Sequence, residues 1–440
     1  PHILEKYQDR FRYLMIDEYQ DTNPAQFRLA DMLSKKYGNL CVVGDDDQSI
    51  YGWRGAEVKN ILHFKADHIV KLEQNYRSTS VILDAANAVI KHNKNRHEKN
   101  LWSANKHSDL IEVFHAPTDA DEANAVVNRI LRYKTEGYRW SDMAILYRSN
   151  ALSRQFEMAL IQASWQNQEG KWMRGIPYEV FGGLEFSERA EIKDLLAYLR
   201  VIANPLDQEA LLRIINVPRR GISDAHLDTL TQTNRSQKIP LWHLLAKDEK
   251  KAVRTFVELI EEAQKRFQTP PFGEAMQWLI DKINYKKAIE EDVKSEKMRA
   301  FKWENVQECV NALAEANEDS LQDFIANTTL NRQIHTTQKT SHNQVHLMTF
   351  HSAKGLEFPI CFLVGLEDGI LPHEKSMMQT GLEEERRLFY VGITRAQKYL
   401  TLSMARARMK MGKAHPTNPS RFLYEIPKTL FKVCDHKIFV

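Results

Sequence analysis

The chain has 440 residues, enough for more than one compact unit, because single hydrophobic cores stop growing near ~250–300 residues. Charged residues make up 27% and apolar residues 43%, the balance of a folded chain, and no long Pro/Gly/Ser-rich or repetitive tract suggests disorder. The formal charge of +3, from 61 basic and 58 acidic residues, is too small to identify a nucleic-acid partner, so any basic surface is local.

Residue 1 is Pro rather than Met, and helical periodicity over Ile3 to Phe11 leads straight into a strand; the chain is expected to start inside a domain, with no signal peptide before it. Short apolar runs then end in polar clusters and lead into helical patterns, as parallel strands of an α/β sheet do. Tyr13 to Ile16 runs into Asp17-Glu18, and Leu40 to Val43 runs into Gly44 and three aspartates. Ile69 to Leu72 is expected as a further strand, followed by Glu73-Gln74-Asn75-Tyr76-Arg77 and a helix over Val81 to His92 that Ser78 or Thr79 would cap. Met143 to Tyr147 leads into Arg148-Ser149-Asn150, and Val345 to Thr349 into His351. Polar chemistry sits just after each strand, where open α/β sheets bind ligands, which suggests nucleotide-handling domains. Between about Asn204 and Asn343 the periodicity is mostly helical, the pattern of a helical domain inserted into an α/β domain that resumes afterwards.

Cys41, Cys309, Cys361 and Cys434 stand far apart without a C-x-x-C pair; neither a zinc site nor a disulfide framework is indicated, and reduced thiols in a cytoplasmic protein are expected. No apolar run reaches the ~18 residues of a membrane span, so no membrane partner is expected; the longest, Pro359 to Leu366, reads as a buried strand.

Asp17-Glu18 at a strand end can hold magnesium and take a proton from an attacking water, since a hard cation needs a carboxylate oxygen and a neighbouring carboxylate can act as base. Alone, such a pair is weak evidence and is more often a solvated strand end. It stands in Ile16-Asp17-Glu18-Tyr19-Gln20-Asp21-Thr22-Asn23, followed by Val43-Gly44-Asp45-Asp46-Asp47-Gln48-Ser49-Ile50-Tyr51-Gly52-Trp53-Arg54-Gly55-Ala56. The second string puts a carboxamide (Gln48), two aromatic rings (Tyr51, Trp53) and a guanidinium (Arg54) on one loop, able to join a phosphate sensor to base-stacking groups. Packing of both rings on the sheet is the plainer reading of Tyr51 and Trp53.

Both strings resemble the second and third motifs of superfamily-one helicases of the Rep/UvrD/PcrA family. Leu72-Glu73-Gln74-Asn75-Tyr76-Arg77-Ser78 is similar to the fourth motif, Met348 to Phe358 to the fifth, and Tyr390 to Ala396 to the sixth, in the family's order; Ala144 to Asn150 and Glu191 to Arg200 resemble it too. The resemblance implies an α/β fold with a RecA-like P-loop NTPase helicase core plus an inserted helical domain, ATP and Mg2+ as ligands, and 3′-to-5′ movement on single-stranded DNA and single-strand/duplex junctions, with possible replication or repair proteins as partners. It implies that Asp17 holds magnesium, Glu18 is the general base, Gln48 senses the γ-phosphate, Tyr76 stacks on adenine, Arg77 and Arg395 are arginine fingers and Glu357 contacts the ribose or triphosphate. On the DNA side it implies Tyr51, Trp53, Arg54, Arg148, Asn150, Thr349 and His351, with little sequence preference. Lys354 stays open between a phosphate contact and a surface lysine. The run Glu383-Glu384-Glu385-Arg386-Arg387 is adequately explained as a solvated helix start, with acids toward the N-terminus.

Two departures stand out. The family's G-x-x-x-x-G-K-[ST] phosphate loop is absent from the sequence; Gly170-Lys171 and Gly412-Lys413 lack both the preceding glycine spacing and the following hydroxyl. Trp165 to Arg174 looks like a surface insertion, with Trp165 and Trp172 decorating it. The expected division is therefore residues 1–69 as the C-terminal part of a first RecA-like domain, 70–203 and 344–440 as two segments of a second, and 204–343 as the inserted helical domain. The chain by itself is expected not to hydrolyse ATP. A non-enzymatic DNA-binding or regulatory module is the alternative; intact Glu18, Arg77 and Arg395 argue for an enzyme.

Overall fold

The computed structural model describes residues 2–105, 109–167, 169–181, 189–314, 320–325, 343–379, 381–410 and 413–437. Gly412, residue 168 of the insertion, and parts of the expected helical domain lie outside them.

Near the start, β1 (Leu14–Ile16) and β2 (Leu40–Val42) form a parallel pair in the register Leu14 with Leu40. The helix Pro24–Ser34 connects them, started by a capping box in which Asn23 and Gln26 satisfy each other's backbone amides, with Pro24 at the first helical position.

The main sheet is built from β3 (Ile111–Thr118), β4 (Met143–Tyr147), then, past the separate hairpin of β5 (Ser164–Gln166) and β6 (Trp172–Arg174), from β7 (Tyr178–Val180), β8 (Val345–Thr349), β9 (Phe358–Leu363), β10 (Ala396–Lys410), β11 (Lys413–Pro416) and β12 (Phe431–Val433). Its order is β12-β3-β10-β9-β4-β8-β7, parallel throughout, with β11 folding back antiparallel on β10. All five residues of β4 are buried, as expected of a central parallel strand covered on both faces. One face packs on the helices Ser80–Ile90 and Gly381–Ile393, around Val89, Leu388 and Phe389. The other packs on Asp119–Thr135 and Ser153–Gln162, around Val126, Ile130 and Phe156.

Residues 190–314 form a cluster of helices with its own core. In the helix Lys251–Arg266 the buried side chains are Val253, Phe256, Val257, Ile260 and Ala263, with Leu259 beside them, the spacing of one apolar stripe.

Three local expectations fail in whole or in part. Ile69 to Leu72 forms no strand: Ile69, Val70 and Leu72 are exposed, and the only pairing nearby is an isolated bridge from Gln74 to Trp102. Thr79 does occupy the N-cap of Ser80–Ile90, but its hydroxyl makes no capping bond and is buried without a partner, while the Ser78 hydroxyl donates to the Ala396 carbonyl at 2.6 Å. The insertion is a β-hairpin in which Trp165 does more than decorate a loop. Its ring meets Trp140 edge-on at 5.2 Å and its Nε1 donates to the Gly175 carbonyl, whereas Trp172 is exposed.

Candidate functional site

β1 delivers Asp17 and Glu18 to the end of the strand, both exposed. Glu18 sits in the left-handed region, φ 50° and ψ 39°, which is costly for a residue with a Cβ and is common where a site dictates the backbone. Asp17 Oδ1 accepts the Glu18 amide at 2.8 Å. Gln20, wholly buried, donates to Glu18 Oε2 at 2.5 Å and accepts the Asp45 amide at 3.0 Å. That contact needs a glycine at 44, since a Cβ there would lie 2.4 Å from Gln20 Oε1.

The loop after β2 carries Gln48 between two charges. Its Nε2 donates to Asp45 Oδ2 at 2.7 Å, and its Oε1 accepts from Arg395 Nη2 at 3.4 Å. Arg395 is almost fully buried, fixed by bonds to the Val391 and Leu356 carbonyls. Burial, then the neighbouring Arg77 charge, lowers its pKa to about 10. Arg77 donates to the Thr394 carbonyl at 3.3 Å and pairs with Glu357, whose carboxyl it holds below its usual value. Gln397 supports Glu357 from the other side at 2.9 Å, and Asn75 Oδ1 accepts the Arg77 and Ser78 amides. Tyr76, beside Arg77, is 84% exposed, its ring open to a ligand.

Lys354 is no surface lysine. Its side chain is 7% exposed, with Nζ 3.1 Å from Glu18 Oε2, 2.9 Å from the Gln48 carbonyl and paired with Asp21. Burial raises the Asp21 carboxyl against that pairing. Glu18, Gln48, Arg77, Glu357 and Arg395 are thus linked across the boundary between the small and main sheets. Asp17 joins them through Glu18 alone. Among the described residues no group of three or more His, Cys, Asp or Glu is placed to hold a metal ion.

A cavity of about 470 Å³ lies beside this cluster, and six sequence-identified residues line it: Tyr51, Trp53, Arg54, Arg148, Thr349 and His351. Arg54 stacks over Trp53 at 4.6 Å and lies 5.5 Å from the Tyr51 ring, while Tyr51 donates to the His351 carbonyl at 3.3 Å. Burial, then the Arg148 charge, lowers the His351 pKa to about 4. Asn150 is not among the lining residues, and its Oδ1 is buried without a partner.

The acidic-basic run at 383–387 overturns the solvated reading: Glu385, Arg386 and Arg387 are all buried. Glu385 receives Arg148 at 2.7 and 3.1 Å and the His373 amide at 2.8 Å. Arg386 forks onto Glu425, and Arg387 donates to the Ser49 carbonyl at 2.8 Å. Burial raises the Glu384 carboxyl at the cavity wall.

Residues 1–69 match the model of the UvrD/REP helicase N-terminal domain, and residues 70–407 match that of the UvrD-like helicase C-terminal domain. The chain belongs to the UvrD-like helicase family. Among its relatives, a protein named ATP-dependent DNA helicase PcrA from Staphylococcus epidermidis is 41% identical over 451 aligned residues, covering 98% of this chain and 60% of the relative. The protein of that name from Staphylococcus aureus is 40% identical over 453 residues, with the same coverage. The chain therefore spans 60% of the length of these curated relatives. Its α/β fold, mostly parallel sheet with flanking helices, is consistent with a UvrD-like helicase core. Among the described residues no helix is long and apolar enough to cross a membrane.

Several residues at these UvrD-like surfaces escaped the motif reading. Glu384, Glu385 and Leu388 reach the cavity from one helix, whose residues 385 to 393 the fold buries without a break, so the charges at their start find partners from distant chain. Arg96, His97 and Lys99 gather on Asp45, Asp46 and Asp47, and nothing in their local sequence marks them.

Proposed function

We propose that the chain is the larger part of an ATP-driven DNA helicase and single-stranded DNA translocase that moves 3′-to-5′. Its parts would be residues 1–69 of a first RecA-like domain, 70–203 with 344–440 as a second, and 204–343 as an inserted helical domain. One observation carries this reading: a single loop holds Gln48 against Arg395 and, three to six residues later, presents Tyr51, Trp53 and Arg54 to the cavity. A loop shared by two sites is the physical requirement for coupling hydrolysis to movement.

In this reading Glu18 takes the proton of the attacking water, Gln48 donates to the γ-phosphate, and Arg77 and Arg395 draw off charge from the transferred phosphoryl group. Arg77 must leave Glu357 to do so, which frees Glu357 for the ribose or triphosphate. Tyr76 stacks on adenine. Asp17 fits as the magnesium carboxylate, because magnesium at such sites uses one or two carboxylates plus substrate phosphates, and it would neutralise phosphate charge there. Tyr51 and Trp53 stack on bases while Arg54, Arg148, Asn150, Thr349 and His351 line the strand, contacts that tolerate any sequence. Single-stranded DNA, its junctions with duplex, and replication or repair proteins in the cytoplasm would be the partners.

The sequence has no G-x-x-x-x-G-K-[ST] string, and positioning with phosphate neutralisation supplies most of phosphoryl-transfer catalysis, so a polypeptide of these residues alone turns over ATP negligibly. The test compares DNA-stimulated ATPase activity of the 440-residue chain with a longer form carrying a phosphate loop, and that form with Glu18→Gln. Turnover only in the longer form, abolished by the substitution, supports the reading. DNA-dependent turnover by the short chain refutes the phosphate-loop argument; an inactive longer form that still binds DNA favours a non-enzymatic module. Displacement of a strand from 3′-tailed but not 5′-tailed duplex tests the polarity.

A further inference from the structure

We propose that Lys99 is a positioning residue for the nucleotide site, acting through Asp45 to fix the orientation of the Gln48 carboxamide. The proposal rests on the reading of Gln48 as the phosphate sensor.

Asp45, Asp46 and Asp47 are consecutive carboxylates, and Asp46 and Asp47 are buried, so each needs its own compensation. Asp47 takes both arms of Arg96, at 2.9 and 2.7 Å. Asp46 takes the His97 amide at 2.9 Å, with the His97 ring at 3.3 Å. Asp45 takes Lys99, whose Nζ also lies 3.0 Å from Asp47. Burial pulls the Lys99 ammonium down, but Asp45, Asp47 and Asp46 outweigh it and hold it above its usual value.

Asp45 is where this cluster meets the proposed chemistry. Its Oδ2 accepts one amide hydrogen of Gln48, so Gln48 Oε1 faces the Arg395 guanidinium and the second amide hydrogen remains for a ligand. A flipped carboxamide would set donor against donor at Arg395 and acceptor against acceptor at Asp45. The Asp45 backbone amide meanwhile holds Gln20, which holds Glu18. Without Lys99 the three carboxylates repel one another, and Asp45, whose side chain is 24% exposed, has water to turn to. Gln48 then loses the contact that sets its face. Lys99 lies in a segment that no helicase motif of the sequence covers, which is why only the fold reveals it.

The test is a double-substitution cycle in the whole protein, reading DNA-stimulated ATP turnover. Lys99→Met lowers kcat by about 10-fold while KM for ATP stays within about 2-fold, and Lys99→Arg recovers most of the loss, because a misplaced group costs rate more than ground-state binding. In a Gln48→Ala background Lys99→Met adds less than about 2-fold, since the group it orients is gone. If instead it multiplies the Gln48→Ala loss by the same factor, Lys99 does not act through Gln48 and the proposal is overturned. Should Lys99→Met not fold, Lys99→Gln takes its place in the cycle with the same two outcomes. Wild-type kcat in Gln48→Ala alone refutes the sensor reading itself, a result visible before Lys99 is touched.

Discussion

Replacing Glu385 with Gln tests whether the acids in the cavity wall restrain DNA binding. Arg148, a proposed strand contact, is committed to Glu385 at 2.7 and 3.1 Å, with side-chain exposures of 17% and 3%. The Glu385 charge therefore offsets the attraction of Arg148 for a phosphate before DNA arrives. The carboxamide keeps an acceptor for Arg148 and for the His373 amide but removes the charge, at a cost of about 1–3 kcal/mol in stability for a weakened, partly buried pair. The freed guanidinium adds about one phosphate contact. For single strands each contact steepens the log–log salt dependence by about 0.7, so raising salt from about 50 to about 200 mM costs the variant roughly 2.5-fold more affinity than the wild type. Fluorescence anisotropy of a labelled oligothymidylate on the whole protein measures both quantities, with thermal melting in parallel to show that the variant is folded. Tighter binding at low salt with the steeper slope is expected. A folded variant that binds more weakly at every salt concentration with an unchanged slope would mean that Glu385 aligns Arg148 rather than restraining it, and the reasoning fails.

Arg395→Lys in the whole protein should lower kcat for DNA-stimulated ATP hydrolysis by about 10²–10³-fold, because an ammonium cannot reproduce the fork that now spans Gln48, Leu356 and Val391; a loss under about 3-fold counts against a transition-state role. His351 should titrate near pH 4 by NMR: its folded value lies below the ordinary 6.5, so protonation favours the unfolded chain and stability falls as pH drops from 6.5 toward 4, whereas a midpoint above about 6 contradicts its burial. Gly392→Ala should destabilise by about 1–3 kcal/mol in urea unfolding, since the new Cβ would lie 2.8 Å from Phe350 Cδ1 and 3.2 Å from Leu363 Cδ2 in a packed core; no shift in midpoint would mean that the helix can recede.

Strands buried on both faces were the most legible feature of the sequence. Met143 to Tyr147 and Val345 to Thr349 fold as strands over the expected spans, because a short apolar run ending in a polar cluster has few other uses in a parallel sheet. Ile69 to Leu72 has the same composition but no neighbouring strand in the described chain, and an apolar run without a partner is not a strand. At the candidate site, the motif strings brought six residues to one cavity and five to the cluster beside it, yet their partners stayed hidden. Glu385 pairs with Arg148 across 237 residues, and Lys354 reaches Asp21 across 333. A local window sees the charge run at 383–387 as solvated because the groups that neutralise it come from distant chain. Lys99 was invisible for the same reason, being one basic residue among many until the fold set it on three aspartates.

The loop that follows β2 belongs physically to both sheets. Ile50 is fully buried in the cluster that includes Leu388 and Phe389, and Lys354 and Arg387 hold the backbone carbonyls of Gln48 and Ser49 at 2.9 and 2.8 Å. Bonds to backbone atoms move the main chain, whereas bonds to side-chain tips are absorbed by a rotamer change. Asp46 and Asp47 are also tied to residues 96 and 97, so the segment from Asp45 to Tyr51 is fastened to the main sheet by ion pairs, backbone bonds and an apolar anchor together. A relative movement of the two sheets must then bend the chain elsewhere: before Asp45, and in the exposed, unpaired stretch around Ile69 to Leu72, where few contacts resist it. Glu18 stands at the end of β1, whereas the Gln48 side chain contacts Arg395 beside the main sheet. The proposed base and the proposed phosphate sensor are bridged by Gln20, which bonds Glu18 and the Asp45 amide, and by Lys354, which reaches Glu18 and the Gln48 carbonyl. Under the proposed function, a change in either bridge alters the spacing between the base and the sensor, whose loop also carries the aromatic rings lining the cavity.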